Sequence, residues 1–245
     1  MQNDLILLHG WGMNKSVWQL CEKELSNEYN GAIYSLNLPG FGGAAVPDKE
    51  YSLASAVQQL AKQINDNSTI VAWSLGGLFA LYLAKYYPKK VSKVVLVSSS
   101  PCFVEQDEWE GVSGQVLDKF KDQLVQDSNK TIDRFLAIQA MGSEHAKEDI
   151  KALRALLKLQ PVASKQALSV GLELLQKQDL RTLFSRLSIP MYGVFGCLDT
   201  LVPKRVCARM SELNPDFSYK MIEKASHAPF ISHRDEFISY LKSIL

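Results

Sequence analysis

The sequence predicts a doubly wound α/β fold, in which helices cover both faces of a mostly parallel sheet, with a helical cap inserted into it. Short apolar runs recur along the 245-residue chain, and they have the length of strands that are buried on both faces. These runs are residues 5–8, 32–36, 69–73, 94–98, 191–195 and 219–222. Amphipathic stretches of helical length separate several of the runs, and this alternation is typical of a parallel sheet.

Two helices are predicted between the early strands. Residues 52–64 carry a helical pattern in which Ser55 and Gln58 have the spacing of a capping box. Residues 76–87 form a second helical pattern, which Pro88 should end because proline cannot continue a helix.

The alternation stops between Pro101 and Ile189, where no strand-like run occurs. Four helical patterns follow one another there, at residues 112–126, 131–141, 144–159 and 164–178. Because the strand pattern then resumes, we predict a core formed by residues 1–101 and 183–245 and a cap formed by residues 102–182. Ligands of such sheets bind outside the carboxyl ends of the strands, so the cap should cover the active site.

Composition argues against several classes of protein. A net charge of +1 and a charged fraction of 22% give no global bias toward nucleic acid or membrane. The four cysteines are far apart and form no C-x-x-C pair, which argues against a zinc site and favours reduced thiols. The first residues carry no basic segment, and their apolar run is too short for a signal peptide or a membrane span. We therefore expect a cytoplasmic monomer with neither nucleic acid nor membrane as a partner.

A nucleophile is predicted where the third strand ends. The segment AWSLGG around Ser74 directly follows a strand-like run and directly precedes a helix, which is the setting of a nucleophile elbow. The turn is so sharp that the residues two before and two after the serine must be small, and Ala72 and Gly76 satisfy this. Ala72 replaces the usual glycine, which adds one methyl group. The alternative is an ordinary surface turn.

His227 is predicted to be the base that activates Ser74. A serine hydroxyl is a poor nucleophile at neutral pH and needs a base that is itself held by a third group. His227 follows the last strand, so it should lie at the same sheet edge as Ser74. His233 is a reserve candidate that better fits a helix N-terminus. His145 falls in a cap helix, and His9 lies in a loop where its backbone should matter more than its ring.

Asp199 is predicted to orient the histidine. In an elbow-type site the acid lies between serine and histidine in chain order, at the end of a strand. Asp199 meets this condition, because the segment FGCLD places it just beyond the fifth strand. Asp179 and Asp216 are the alternatives, although Asp179 ends a helical pattern and Asp216 lies in an N-P-D turn.

Two backbone amides are predicted to form an oxyanion hole, where each donor is worth about 3–4 kcal/mol in known cases. The first belongs to Leu75, directly after the nucleophile at a helix N-terminus. The second belongs to Trp11, because Gly10 and Gly12 on either side let the backbone approach closely.

Glycines at residues 39–43 (PGFGG) could suggest a nucleotide-binding loop. The chain has neither a G-x-x-x-x-G-K-[ST] segment nor a strand followed by G-x-G-x-x-G and a helix. We therefore reject a phosphate-binding role for this loop.

Together the motifs resemble a known family. The segments LLHGWG, LPGFG, WSLGGL, SSPCF, FLAIQ, LDTLVP and SHAPFISH are similar to those of the pimeloyl-acyl-carrier-protein methyl ester carboxylesterases of biotin synthesis, which are α/β-hydrolases. The first and last segments occur in many α/β-hydrolases, whereas SSPCF and the cap segment narrow the resemblance to this subgroup. The chain departs from the family at its start, where the antiparallel edge strands should be shortened or missing.

The resemblance implies an activity and a set of binding residues. Such an enzyme removes the methyl ester from a pimeloyl chain attached to acyl carrier protein and releases methanol. Besides Trp11, Leu75 and His227, the implied substrate-binding residues are Phe135, Leu136, Ala137, Ile138 and Gln139.

A basic surface on the cap could receive the strongly acidic carrier protein. Its cations recur at helical spacing, as Lys147, Lys151, Arg154 and Lys158 along one stripe and Lys130 and Arg134 as a second pair. The alternative is an ordinary solvated helix face.

The residues therefore predict a carboxylesterase that forms an acyl-enzyme and needs neither cofactor nor metal. A generalist short-chain esterase, a carbon–carbon bond hydrolase and an acyltransferase share the same triad and stay open as alternatives. A non-catalytic small-molecule receptor is a further alternative. Dehalogenases and epoxide hydrolases of this fold use an aspartate nucleophile, so Ser74 argues against both.

Overall fold

The predicted apolar runs form one parallel sheet in the computed structural model, which describes residues 3–48 and 50–245. The strands are β1 (Leu5–Leu8), β2 (Ile33–Leu36), β3 (Ser68–Trp73), β4 (Val91–Val97), β5 (Met191–Gly196) and β6 (Phe217–Ile222). Their order is β2-β1-β3-β4-β5-β6, and each neighbouring pair is parallel. The predicted fold class is thereby confirmed. Met1, Gln2 and Lys49 of the predicted core lie outside the described residues.

Helices connect the strands and cover the sheet. They are α1 (Gln19–Leu25), α2 (Leu53–Ala61), α3 (Leu75–Tyr86), α4 (Gly114–Gln126), α5 (Ser128–Gln139), α6 (Ala146–Leu157), α7 (Lys165–Lys177), α8 (Arg181–Phe184), α9 (Lys204–Leu213), α10 (Pro229–Ser232) and α11 (Arg234–Ile244). Helix α3 packs on β3 and β4 with α2 and α8 beside it, whereas α1 packs against α11. Every residue of β3 is buried, as expected for a central strand that is covered on both faces.

The start of α2 differs from the prediction. The capping box is formed by Ser52 and Ser55: the Ser55 amide donates to Ser52 Oγ at 3.2 Å, and the Ser52 amide donates to Ser55 Oγ at 3.0 Å. The predicted pair of Ser55 and Gln58 is therefore wrong. Ser52 has the extended backbone that an N-cap requires, with φ −122° and ψ 169°.

Helices α4 to α7 lie between β4 and β5 in the chain, where the cap was predicted. Helix α4 packs against α5 and α7, and α5 packs against α6. The cap reaches the core through α7, which contacts α3, and through α6, which contacts α10 and the 3-10 helix Lys15–Trp18. Between residues 101 and 189 only isolated β-bridges occur in the described chain, such as the one between Cys102 and Asp179. The division into two domains stays a prediction.

The glycine-rich loop at residues 39–43 supports the cap. The Gly40 carbonyl accepts a 2.8 Å hydrogen bond from the amide of Ser164, directly before α7. Gly40 has φ +78°, and a Cβ atom there would lie 2.5 Å from Cβ of Ala167. The loop therefore needs glycine for its contact with α7.

Further predictions concern the sheet edge and the cysteines. Within residues 3–48 and 50–245 no antiparallel strand joins the sheet, and β2 forms one of its edges. The cysteines Cys21, Cys102, Cys197 and Cys207 are all free thiols. No helix in the described part of the chain combines the length and the apolarity needed to cross a membrane.

Candidate active site

Ser74 occupies the sharp turn between β3 and α3. Its backbone has φ 53° and ψ −121°, a conformation that non-glycine residues rarely adopt and that costs about 1–3 kcal/mol. Three hydrogen bonds hold the residue: its amide donates to Val97 O at 3.0 Å, and its carbonyl accepts from the Gly77 amide at 2.9 Å and from Ser99 Oγ at 2.7 Å. The strain is thus maintained by the neighbouring strand and helix.

The turn is crowded, as the small residues around Ser74 predict. A Cβ atom at Gly76 would lie 2.8 Å from the His9 carbonyl oxygen, and one at Gly10 would lie 3.0 Å from Ser74 Cβ. Ala72 is fully buried between β1 and β4. The loop after β1 therefore lies directly against the proposed nucleophile.

His227 and Asp199 are joined by a short hydrogen bond. His227 Nδ1 lies 2.8 Å from Asp199 Oδ2, and both side chains are buried. The other carboxylate oxygen accepts from the amides of Leu201 at 2.8 Å and Val202 at 3.0 Å. An aspartate held in this way fixes the imidazole through Nδ1, so that Nε2 points away from the carboxylate. Nε2 of His227 is buried and has no hydrogen-bond partner among the described residues.

Trp73 connects the histidine to the nucleophile strand. Its indole Nε1 donates to the carbonyl of His227 at 2.8 Å, and the two ring centroids lie 5.8 Å apart. Trp73 directly precedes Ser74, so the structure brings the end of β3 and the loop after β6 together. Phe230, just beyond the histidine, packs against both Trp73 and Trp18, with centroids at 5.0 and 4.3 Å.

The other histidines have structural surroundings. His233 is the N-cap residue of α11, and its Nδ1 contacts Ser232 Oγ at 2.9 Å. His145 precedes α6. The His9 ring joins two loops, because Nδ1 lies 2.8 Å from Gly10 O and Nε2 accepts from the Leu38 amide at 3.0 Å. Burial lowers the pKa of His9 to about 4, which keeps this bridging ring neutral.

The alternative aspartates also have other partners. Asp179 binds the guanidinium of Arg181, with Oδ2 2.6 Å from Nη2, and this bond is the main reason that the pKa of Asp179 is lowered. The amide of Asp216 donates to the side chain of Asn214, as in a solvated turn. Asp199 is the one of the three that contacts His227.

The two predicted oxyanion donors lie in the segments that follow β1 and β3. Leu75 is the first residue of α3, where backbone amides have no partner within the helix. Trp11 lies in the turn after β1, next to Gly12, whose φ of +74° favours glycine. Both residues are buried, and their amides donate to no backbone carbonyl in the described chain.

The predicted substrate residues on α5 divide between two faces. Phe135, Leu136 and Gln139 are buried, Ile138 is half-buried and Ala137 is exposed. The Phe135 ring packs edge-on against Trp11 with centroids 4.7 Å apart. The structure therefore brings three of these side chains toward the buried site and leaves Ala137 on the outer face.

Gln139 differs from its neighbours in chemistry. Its side chain is fully buried, and neither its amide nitrogen nor its amide oxygen has a hydrogen-bond partner among the described residues. Its main-chain carbonyl accepts from the His227 amide at 3.1 Å. A buried, unsatisfied amide next to the proposed base is a group that a substrate can engage.

Only some of the cations on the predicted basic surface of the cap form ion pairs in the described chain. Lys147 and Lys151 are exposed without an ion-pair partner in the described chain. Arg154 binds Asp133 at 2.9 Å, and Lys130 lies 3.6 Å from Asp127. The guanidinium of Arg134 lies 5.6 Å from the ring centroid of Phe120.

Among the described residues no group of three or more histidine, cysteine, aspartate or glutamate side chains is arranged to hold a metal.

Several residues at the site were not predicted from sequence. Ser226 Oγ donates to the Met141 carbonyl at 2.9 Å, which ties the histidine loop to the end of α5. Gly171 of α7 lies against Trp11 and Leu75, the two predicted oxyanion residues, and Ser99 Oγ donates to the carbonyl of Ser74. Of these residues, only Gly171 could have been found from the sequence, because an isolated glycine inside a helical pattern often indicates close packing.

Comparison with known proteins identifies relatives over almost the whole chain. The model of the alpha/beta hydrolase fold family matches residues 4–234. The chain is 44% identical over 240 residues to the pimeloyl-[acyl-carrier protein] methyl ester esterase of Aeromonas hydrophila, covering 98% of this chain and 94% of that protein. It is 38% identical over 244 residues to the enzyme of the same name from Serratia marcescens, covering 100% and 94%.

Solved structures share the fold. An esterase from Exiguobacterium antarcticum superposes with a TM-score of 0.87 at 22% identity, covering 99% of this chain and 91% of that one. MenH from S. aureus superposes with a TM-score of 0.77 at 18% identity, covering 98% and 92%. At these identities the likeness concerns the fold alone.

Proposed function

This chain belongs to the alpha/beta hydrolase family and is a carboxylesterase of it, and from that premise we propose that it hydrolyses the methyl ester of a pimeloyl chain carried by acyl carrier protein. The observation that carries the catalytic part is the 2.8 Å bond between His227 and Asp199, which leaves a buried Nε2 without a partner among the described residues. This arrangement supports the proposal that Nε2 is the nitrogen that accepts the serine proton.

Acylation follows from this geometry. Ser74 Oγ attacks the ester carbonyl carbon while His227 Nε2 accepts its proton, and the Asp199 carboxylate stabilises the imidazolium. The carbonyl oxygen becomes an oxyanion that the amides of Trp11 and Leu75 stabilise. When the tetrahedral intermediate collapses, the carbon–oxygen bond to the methoxy group breaks. Nε2 returns the proton to this group, which leaves as methanol.

Deacylation repeats the same steps with water. His227 removes a proton from the water molecule, whose oxygen attacks the acyl-enzyme carbonyl. The intermediate collapses with cleavage of the bond to Ser74 Oγ, and the serine recovers its proton from His227. The product is a free carboxylate at the end of the chain, and the enzyme is regenerated.

The proposed substrate rests on the relatives' names and on the cap. Phe135 and Leu136 offer apolar surface for a methylene chain, and the buried amide of Gln139 offers hydrogen bonds. The exposed lysines Lys147 and Lys151 supply positive charge for an acidic carrier protein. Since every proposed catalytic group comes from one chain, we propose that a monomer suffices for activity. We also propose a cytoplasmic location, with which the four free thiols agree.

The test compares two esters. Methyl pimeloyl-acyl carrier protein and a short p-nitrophenyl ester are each offered to the wild type and to Ser74→Ala. We expect a much higher kcat/KM for the carrier-bound ester, methanol release, and a carrier protein lighter by one CH2 group. Ser74→Ala should lose both activities. Equal kcat/KM values for the two esters would contradict the proposed substrate, whereas an active Ser74→Ala would contradict the proposed nucleophile.

A further inference from the structure

Helix α7 of the cap lies directly on both residues whose amides are the proposed oxyanion donors. Gly171, in the middle of this helix, is buried. A Cβ atom there would lie 2.6 Å from Trp11 Cδ1 and 3.3 Å from Leu75 Cδ2. The first distance is too short for any pair of non-bonded carbon atoms. Only glycine therefore allows the helix to approach Trp11 this closely.

A hydrogen bond fixes the same contact. The indole Nε1 of Trp11 donates to the main-chain carbonyl of Leu168, one turn before Gly171, at 2.9 Å. Phe135 packs edge-on against the indole from α5. The Trp11 side chain is therefore held between two cap helices, and no part of it is exposed.

The Trp11 backbone lies in a turn closed by a 3.3 Å hydrogen bond from the Met13 amide to the Gly10 carbonyl, and this carbonyl also lies 2.8 Å from His9 Nδ1. Gly10 and Gly12 flank Trp11, and both lack a side chain that would anchor the loop. The contacts of the indole with Leu168 and Phe135 add a side-chain restraint to this turn, so they help to set the direction of the Trp11 amide. An oxyanion donor loses much of its effect when it is displaced or misaligned, because hydrogen bonds weaken steeply with angle.

The glycine also has an intrinsic cost. Glycine in a helix interior is less favourable than alanine by about 1 kcal/mol, because it loses more backbone freedom on folding. Gly171 therefore lowers the intrinsic stability of α7 at the position where this helix contacts the proposed oxyanion residues.

We infer that Gly171 is a positioning residue, which sets the oxyanion hole by letting α7 clamp Trp11. The inference rests on the proposed function, because it assigns the Trp11 amide to the oxyanion. Gly171 itself touches no reacting atom. The cap then has two tasks: it forms the acyl site and it aligns the catalytic backbone.

The test uses Gly171→Ala with Gly114→Ala as its matched control. Gly114 begins cap helix α4, and a Cβ atom there meets nothing within 4 Å. With the short p-nitrophenyl ester we expect Gly171→Ala to lower kcat by about ten-fold or more, while KM and the pH midpoint of kcat/KM stay unchanged. Gly114→Ala should keep wild-type kinetics.

A transition-state analogue separates positioning from general loosening. A trifluoromethyl ketone forms a tetrahedral adduct whose oxyanion occupies the hole, so its affinity should fall by the same factor as kcat/KM. A kcat within two-fold of the Gly114→Ala value would overturn the inference. A rise in KM with a lowered Tm and unchanged kcat would also overturn it, since a loosened cap has that signature.

A second variant decides the question if Gly171→Ala does not fold. Trp11→Phe keeps the backbone amide and removes the indole N–H that binds Leu168. We expect the same loss of kcat, and wild-type kcat in this variant would overturn the inference. Wild-type turnover of the short ester tests the esterase itself, so failure of the proposed function is distinguishable from failure of this inference.

Discussion

The amide of His227 donates a 3.1 Å hydrogen bond to the main-chain carbonyl of Gln139. The proposed catalytic base and the last residue of cap helix α5 are thus joined backbone to backbone. Ser226 and Met141 add a second bond of 2.9 Å between the same two segments. A change in the cap therefore reaches the histidine without passing through the substrate.

Replacing Gln139 by methionine should raise stability and lower activity. Two polar atoms of Gln139 are buried without a hydrogen-bond partner among the described residues, and leaving such atoms unsatisfied costs about 1–3 kcal/mol. We expect urea unfolding of Gln139→Met to show a free energy of unfolding higher by about 1 kcal/mol. Turnover of the carrier-bound ester should fall, because the substrate loses this amide.

The control for this variant is Gln126→Met, at an exposed position of α4. It should change neither quantity appreciably. A less stable Gln139→Met protein, or one with full activity, would show that the amide has partners or no role in binding.

At position 74 glycine should be more stable than alanine. Both variants lack the nucleophile, but the backbone at φ 53° strains alanine and suits glycine. We expect Ser74→Gly to exceed Ser74→Ala in free energy of unfolding by about 1 kcal/mol. At Ser169, an exposed position inside α7, the order should reverse, because alanine is the better helix former. The same order at both positions would contradict the strained elbow.

Acid should destabilise the protein through His9. Its pKa is about 4 in the folded protein and 6.5 ordinarily, so the unfolded chain binds a proton that the folded chain does not. The contribution of His9 to the free energy of unfolding is fully present above pH 6.5 and is lost as the pH falls toward 4. This loss amounts to at most about 3 kcal/mol. Urea unfolding between these pH values should show the slope in the wild type.

The variant His9→Gln tests the assignment of this slope. Its amide can replace the acceptor for Leu38 but does not titrate, so the contribution of His9 to the slope should disappear. The variant His233→Gln, at a half-buried position, should retain the slope. An unchanged acid slope in His9→Gln would assign the effect to other groups.

Charge reversal on the cap should affect only the carrier-bound ester. Lys151 is exposed and has no ion-pair partner in the described chain, so Lys151→Glu changes the surface without breaking a bond. We expect kcat/KM for methyl pimeloyl-acyl carrier protein to fall by about ten-fold at low salt, and the loss to shrink as salt rises. The p-nitrophenyl ester should be hydrolysed as by the wild type.

Two further variants make this test specific. Lys62→Glu reverses an exposed charge on the core and should leave both activities unchanged. Arg154→Glu also breaks the ion pair with Asp133, so it should show some loss of stability in addition. Equal losses on both esters would show that the lysine supports the active site instead of binding the carrier.

The predictable parts of the site depend on periodicity and chain order. The strands were predictable because each is a short apolar run, and Ser74, Asp199 and His227 follow three of them in the required order. Parallel strands bring their carboxyl ends to one edge, so the order in the chain predicts proximity in space. This rule predicts where these three side chains lie without any information about the cap.

The unpredicted contacts depend on backbone atoms and on packing between distant segments. The carbonyls of Gln139, Met141 and Leu168 bind the catalytic loops, and a carbonyl carries no signal specific to its residue. The bridging ring of His9 depends on Leu38, in a loop that only the folded chain places beside it. The capping box was misplaced by one turn because Ser52 and Ser55 are both suitable N-cap residues, and only backbone geometry separates them.

The place of the cap in the chain also sets the order in which the site is synthesised. The ribosome releases Trp11, Ser74 and Leu75 first, then α4 to α7, and Asp199 and His227 after them. A chain cut anywhere between α7 and His227 therefore retains the proposed nucleophile and lacks the proposed base.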